Sequence, residues 1–349
     1  MGASIDCRDA SVEQDRAKSD PAQMTTHNKV YVPGRSLSSM AAIELSGVTK
    51  RYTSFGFFGN RSVTAVQDLD LTVREGEIFG FLGPNGAGKS TTIDLLLDYA
   101  EPTEGSVQVF GNEIPDESVA ARERIGVLPD GYGPIGERTG REHVEFAIDA
   151  KDADDDPDEL IERVDMRGPD EYPVEEYSKG MAQRLMLAMA LAGEPDLLIL
   201  DEPSTGLDPN GARTMRKIVR EENARGATVF FSSHILEQVE SVCDRVGILD
   251  AGQLVAVDNL ESLRSETGQS AKVTVELSTV PSDVPARVGE IDGVADVRTN
   301  GTSVVVACRN DAKAPVIAAF HESAADVTNV TTSETSLDDL FEHYTRGVA

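Results

Sequence analysis

The 349-residue chain has no tryptophan, only three cysteines and an aromatic content of 5%. Cys7, Cys243 and Cys308 lie far apart without metal-ligand spacing, and the last two sit in apolar runs, as small core residues do. A reducing, cytoplasmic setting fits that usage. Cations are also scarce: 32 Lys and Arg face 61 Asp and Glu, for a formal net charge of −29. Binding to phosphate backbones needs clustered Lys and Arg, so nucleic acid is not an expected partner. No apolar run approaches the roughly 18 residues that span a bilayer, and the first residues lack a signal-peptide core. The chain is therefore expected not to cross a membrane itself.

What is present is an ordinary 40% of apolar residues, enough over this length for two cored domains. The acidic residues are spread along the whole chain and Arg outnumbers Lys, a distribution that resembles proteins adapted to high internal salt. Residues 1–39 are polar and aperiodic and read as a disordered tail, dispensable or the product of an upstream start assignment. From Met40 to about 265, apolar strands alternate with helical stretches, the pattern of an α/β domain with a largely parallel sheet. The acidic run at 149–158 lacks the ligand spacing of a Ca²⁺ loop and reads as a solvated connection. A second unit over 271–349 reads β-α-β-β-α-β, the ferredoxin-like order, with Asn300-Gly301 as its hairpin turn and a closing helix over 337–345. No catalytic constellation stands out there, and His321 and His343 read as surface residues.

The most informative stretch is Gly83-Pro84-Asn85-Gly86-Ala87-Gly88-Lys89-Ser90-Thr91, a phosphate-binding P-loop pattern. Glycines let the loop wrap phosphates with inward N–H groups, where a Cβ would obstruct. Lys89 supplies charge for the β- and γ-phosphates, and the Ser90 hydroxyl suits Mg²⁺. The apolar run 77–82 before the loop and the helical pattern from Ser90 onward place the phosphates at a helix N-terminus. A nucleoside triphosphate is the expected ligand. Further on, Leu197-Leu198-Ile199-Leu200-Asp201-Glu202 is an apolar strand ending in two acids, one suited to Mg²⁺ and one to polarising a water. Pro203-Ser204-Thr205-Gly206-Leu207-Asp208-Pro209 follows, then Phe230-Phe231-Ser232-Ser233-His234. Upstream lies Tyr177-Ser178-Lys179-Gly180-Met181-Ala182-Gln183-Arg184-Leu185.

In this order and spacing the set resembles the ATP-binding subunit of an ATP-binding cassette (ABC) transporter over about residues 41–262. The resemblance implies a P-loop ABC ATPase fold with a helical subdomain at about 131–180. It also implies ATP and Mg²⁺ as cofactors, and a dimer, with itself or a paralogous ATPase subunit, that sandwiches two ATP molecules. Ser178 and Gly180 would then face the γ-phosphate held by the other subunit's P-loop, Asp208 would lie between the two sites, His234 would sense the γ-phosphate and Glu202 would act as base. Tyr52 matches the aromatic that stacks on adenine, although Lys50-Arg51-Tyr52 reads equally as a strand end. Lacking a membrane span, such a subunit needs a separate polytopic permease and sits on the inner face of the plasma membrane through it.

Two departures from the family pattern stand out. The signature, usually Leu-Ser-Gly-Gly-Gln, keeps Ser178 and Gly180 but carries Lys179 and Met181, a version that looks like that of drug- and antibiotic-efflux exporters. Asp130 stands where Gln is usual, so a carboxylate would reach toward Mg²⁺ beside the γ-phosphate. Phe55, Phe57 and Phe58 mark either an extended hairpin or a partner surface. An importer subunit would often carry a small β-barrel after the cassette, and a soluble relative acting in translation or DNA repair would carry two cassettes or a coiled-coil insertion and basic surface. The β-α-β-β-α-β tail argues against the importer reading, and the one cassette, the lack of a long heptad run and the acidic excess argue against the soluble one; both stand as alternatives to the exporter reading.

The charge makes one prediction. The Debye length falls from about 10 Å at 0.1 M to about 3 Å at 1 M salt, so self-repulsion fades in brine. Multimolar KCl should raise the melting temperature more than sucrose does, since sucrose strengthens burial without screening. Equal protection by the two, measured by thermal unfolding, would remove the high-salt reading.

Overall fold

The computed structural model describes residues 40–56, 59–134, 136–266, 271–323 and 326–334, together with Phe341. The expected tail over 1–39, Cys7, Phe57, Phe58, His343 and all but Phe341 of the expected closing helix lie outside the described residues.

The cassette opens with β1 (Ala41–Gly56), β2 (Gly59–Arg74), β3 (Ile78–Leu82), α1 (Lys89–Leu96), β4 (Glu104–Val109), β5 (Asn112–Ile114), α2 (Ser118–Glu123) and β6 (Ile125–Leu128). Next come α3 (Gly140–Ala150), α4 (Pro157–Arg163), α5 (Lys179–Leu191), β7 (Leu197–Asp201), α6 (Pro209–Arg225) and β8 (Thr228–Ser233). It closes with α7 (Leu236–Glu240), β9 (Arg245–Asp250), β10 (Gln253–Asn259) and α8 (Leu260–Glu266). The C-terminal segment adds β11 (Ala271–Leu277), α9 (Val284–Gly289), β12 (Val294–Asn300), β13 (Ser303–Cys308), α10 (Lys313–His321) and β14 (Val327–Glu334).

The expected largely parallel sheet is present, and a second, antiparallel sheet stands beside it. Strands β10-β9-β3-β8-β7-β6 form one, parallel except at the β9–β10 edge, while β2-β1-β4-β5 form a second, antiparallel one. The reason is local. β1 runs directly into β2, pairing Tyr52 with Val63 and Phe55 with Asn60, and a connection without a crossover helix can only make an antiparallel pair.

Side-chain alternation divides the parallel sheet between two cores. Leu198 and Leu200 of β7 join the α3–α6 side, whereas Leu197 and Ile199 join the side facing the antiparallel sheet. Phe230 of β8 lies at the centre of the second core, with ring centroids 6.0 Å from Phe79 and 5.2 Å from Phe81. All three rings are fully buried.

The C-terminal strands pair antiparallel in the order β12-β13-β11-β14, with Val273, Val275, Val304, Val306 and Cys308 packed on Val288, Val316 and Phe320. Two contacts tie this segment to the cassette. Arg264 of α8 pairs with Glu240 at the end of α7 and, at 2.7 Å, with Glu334 at the end of β14. Phe341 packs on the core shared by α3–α6. Among the described residues no helix is long and apolar enough to cross a membrane.

Phe230→Ala should cost about 3–5 kcal/mol of unfolding free energy, the usual loss for an aromatic removed from a packed core. Urea denaturation in high KCl measures it.

Candidate nucleotide site

Four of the motifs singled out in the sequence leave the carboxyl ends of strands of the parallel sheet. The P-loop follows β3, Asp130 follows β6, Glu202 follows β7 and His234 follows β8. In register, Leu82 pairs with Ser233 and Asp201 with Ser232, so three neighbouring strands stop at one level. Crevices outside the carboxyl ends of such sheets are where ligands bind in open α/β folds.

The P-loop geometry depends on two glycines in the left-handed region. Gly88 has φ +111°, and a Cβ there would lie 2.5 Å from the Ala65 carbonyl oxygen. Gly86 has φ +84° and opens onto empty space. Helix α1 starts at Gly88 with no side-chain cap, which leaves its first N–H groups for an anion. Pro84 and Asn85 are exposed at the loop's tip, Gly83 and Ala87 are buried at its base, and Thr91 is half-buried on the first turn of α1. Lys89 is buried; its Nζ donates to Gly83 O at 2.7 Å and Pro84 O at 3.4 Å, and stands 3.6 Å from Glu202 Oε1. A buried ammonium resting on loop carbonyls, beside uncapped helix N–H groups, fits a polyphosphate.

Ser90 Oγ donates to Asp201 Oδ2 at 3.1 Å, while Asp201 Oδ1 is buried with no hydrogen-bond partner. Burial pushes the Asp201 carboxyl above its ordinary pKa; the charges of Glu202 and Asp130 add to that, and the Ser90 hydroxyl opposes it. A hydroxyl and a carboxylate oxygen without a partner fit Mg²⁺, which keeps most of its waters. Among the described residues no three His, Cys, Asp or Glu side chains converge as an all-protein cage, and Mg²⁺ needs none.

Glu202 has φ +47°, turning the chain sharply away from β7 while its N–H donates to Ser232 O at 2.9 Å. Its carboxylate is buried; Oε2 accepts from Ser233 Oγ at 3.1 Å and lies 2.8 Å from His234 Nδ1. Ser233 was not singled out in the sequence; the buried strand residue just before His234 was the available signal.

Tyr52 is exposed on β1 with Lys50 Nζ 5.0 Å above its ring, and it pairs with Val63, two residues from the Ala65 that borders Gly88. Tyr52 therefore lies on the hairpin whose second strand borders Gly88, and among the described residues no hydrogen bond or ion pair joins it to the P-loop. The same holds for Ser178: among the described residues no hydrogen bond or ion pair joins it to the P-loop. Ser178 caps α5 by accepting from Met181 N at 3.2 Å, and Gly180 lies so close to Gly206 that a Cβ would sit 2.9 Å from its carbonyl oxygen. Asp208 caps α6 through Gly211 N at 2.7 Å and pairs with Arg184 at 3.3 Å.

The family model described as ABC transporter matches residues 66–205. The chain is 34% identical over 310 residues to the daunorubicin resistance ATP-binding protein DrrA3 of Streptomyces coeruleorubidus, covering 87% of this chain and 96% of that protein. It belongs to the ABC transporter ATP-binding proteins. The bacitracin transport ATP-binding protein BcrA of Bacillus licheniformis is 33% identical, with 86% of this chain and 95% of that protein covered. A solved dimeric bacterial ABC transporter cassette matches with a TM-score of 0.57 at 25% identity, covering 62% of this chain and 98% of that one. As an ABC ATP-binding subunit the chain binds and hydrolyses ATP, and subunits of this family dimerise and work with a membrane permease.

Lys89→Ala should weaken ATP binding about 10- to 100-fold, because charge-assisted hydrogen bonds to phosphate are each worth about 1.5–3 kcal/mol. Titration with a fluorescent ATP analogue checks it; unchanged affinity would take Lys89 out of the site.

Proposed function

We propose that this ABC ATPase powers an exporter permease and that its catalytic centre is the cluster at the ends of β3, β7 and β8. The observation that carries the reading is the convergence there of Lys89, Ser90, Asp201, Glu202 and His234. On this reading Gly83, Pro84, Asn85, Gly86, Ala87, Gly88, Lys89, Ser90 and Thr91 cradle the phosphates, and Tyr52 takes the adenine. Ser90 and Asp201 hold Mg²⁺, with Asp130 reaching it through water. Bound there, Mg²⁺ would neutralise charge on the β- and γ-phosphates. Glu202 accepts a proton from the attacking water, while Lys89 and His234 stabilise charge on the transferring phosphoryl group.

The second half of the site comes from a partner cassette, the same chain or a paralogue. Capping α5 uses a lone pair of Ser178 and leaves its O–H to donate outward to a γ-phosphate across the dimer, beside the Gly180 N–H. Asp208 stands in the loop between the sites. We assign residues 40–265 to the ATPase domain, with its helical subdomain at about 131–180, and 271–349 to a separate C-terminal domain. The chain would work on the inner face of the plasma membrane, in a salt-rich cytoplasm, without nucleic acid.

A surface for the permease adjoins the site. Tyr99, Tyr132 and Phe146 are exposed by 70%, 76% and 59% in a chain poor in aromatics, and with Pro129, Met186 and Met189 they line a groove of about 640 Å³. Exposed apolar patches of this kind mark interaction sites. The groove begins beside Asp130, so a permease segment seated in it would act directly on the γ-phosphate side of the site. The exporter assignment is supported by relatives named for daunorubicin resistance and bacitracin transport, and by the Ser-Lys-Gly-Met signature.

Glu202→Gln should retain ATP binding and cut hydrolysis by about 10²–10⁴-fold, the usual worth of a positioned base. With ATP and Mg²⁺ in high salt it should elute from size exclusion as a dimer, and the tagged wild type should copurify with a polytopic membrane protein. Undiminished hydrolysis would refute Glu202 as base; monomer alone would refute the sandwich.

A further inference from the structure

We infer that Ser233 is a positioning residue for hydrolysis: its buried hydroxyl fixes which oxygen of Glu202 takes the proton. The inference rests on the proposed role of Glu202 as base.

The two oxygens of that carboxylate stand in different surroundings. Oε2 accepts from Ser233 Oγ at 3.1 Å and lies 2.8 Å from His234 Nδ1. Oε1 faces the P-loop, with Lys89 Nζ at 3.6 Å. A carboxylate rotates about its terminal torsion over a broad, roughly two-fold well, so a single partner would leave the choice of oxygen loose. His234 is itself a weak anchor, since its side chain is 45% exposed on the loop after β8. Ser233 is a firm one. It is fully buried at the last position of β8, paired in register with Leu82 at the foot of the P-loop. Its rotor is set from the other side, because the Ile235 N–H donates to Ser233 Oγ at 3.0 Å and leaves the hydroxyl proton for Glu202.

With Oε2 held by the Ser233 hydroxyl and closely approached by His234 Nδ1, the basic lone pairs directed at the phosphates are those of Oε1. In the hydrolytic step the water oxygen bonds to the γ-phosphorus, its proton passes to Oε1, and the bond from phosphorus to the bridging oxygen breaks to release ADP. Ser233 and His234 remain on Oε2 throughout. Glu202 needs this external hold because its backbone, at φ +47°, turns out of the strand immediately. The same Ile235 N–H bond ties the backbone leading into α7 to Ser233, so orientation of the base and position of His234 share one hydroxyl.

The test measures steady-state ATP hydrolysis by the full chain in high KCl with Mg²⁺. Ser233→Ala should lower kcat about 10- to 100-fold, part of the 10²–10⁴-fold worth of a positioned base, with KM within about threefold of wild type. Ser233→Thr keeps the hydroxyl and should recover most of kcat. Because the extra methyl enters a packed site and this variant could fail to fold, the decisive arm is a double-mutant cycle. In the Glu202→Gln background Ser233→Ala should change residual turnover less than about twofold. Full kcat in Ser233→Ala would overturn the inference. So would a loss of equal factor in both backgrounds, and so would a loss appearing mainly in KM, which would route the effect through nucleotide contact by His234. If Glu202→Gln alone hydrolyses ATP at the wild-type rate, the base assignment itself falls, an outcome distinct from these.

Discussion

Everything at this site depends on parallel pairing of β3, β8 and β7 in a register that ends the three strands together. Each is buried along its length and presents alternate residues to two different cores, so a slip by one position would move every apolar side chain to the wrong face. That cost locks the register, and the register delivers the chemistry. With Asp201 beside Ser232 and Leu82 beside Ser233, the P-loop, Glu202 and His234 leave the sheet as neighbours although 151 positions separate Gly83 from His234 in the sequence. The core is the positioning device, and loop chemistry alone would not hold these distances.

The electrostatics of the site oppose its ligand until a cation arrives. On the proposed reading a nucleoside triphosphate enters beside Asp130, Asp201 and Glu202, in a chain whose net charge is −29. Against them stand Lys89, the uncapped start of α1 and a His234 whose Nδ1 already lies 2.8 Å from Glu202. Burial has raised the Asp201 carboxyl, so its ionised form is held less firmly than in water. A divalent cation reverses that balance by favouring the carboxylate and screening the phosphates at once. On the proposed reading, nucleotide and Mg²⁺ bind as one unit, and Asp130 in place of an amide makes that dependence stronger than a neutral side chain would.

What could be read from the sequence followed the range of the interactions involved. The P-loop, the acidic strand end and the Ser-Ser-His segment are local patterns, and each lies at the strand or helix end that its flanking apolar run indicates. In the C-terminal segment the Asn300-Gly301 turn lies between the paired strands β12 and β13, while all but Phe341 of the expected closing helix lies outside the described residues. The split of the cassette into two sheets was not legible: β1 and β2 carry the same alternation as any half-buried strand, and only their direct connection separates them from the parallel set. Tyr99, Tyr132 and Phe146 gave no warning either. They are isolated aromatics at distant positions, and folding alone makes them a groove. Ser233 looked like one more residue of an apolar strand, since its importance rests on a partner 31 positions away.

The loop after Glu202 packs directly against the signature segment, although among the described residues no hydrogen bond or ion pair joins Ser178 to the P-loop. Gln183 of α5 donates to Pro203 O at 3.1 Å, Gly180 abuts Gly206, and Arg184 pairs with Asp208, so the signature end of α5 and this loop form one packed piece. On its other side the loop is tied to α7, because Ser204 donates to Gln238. Helix α7 follows His234 directly and is tied to the C-terminal segment through Glu240, Arg264 and Glu334. On the proposed reading, with His234 at the γ-phosphate and Ser178 facing the partner's nucleotide, α7 and the loop from Pro203 to Asp208 would form a packed connection between the two phosphates. The C-terminal segment, anchored at α7, is attached to the same connection.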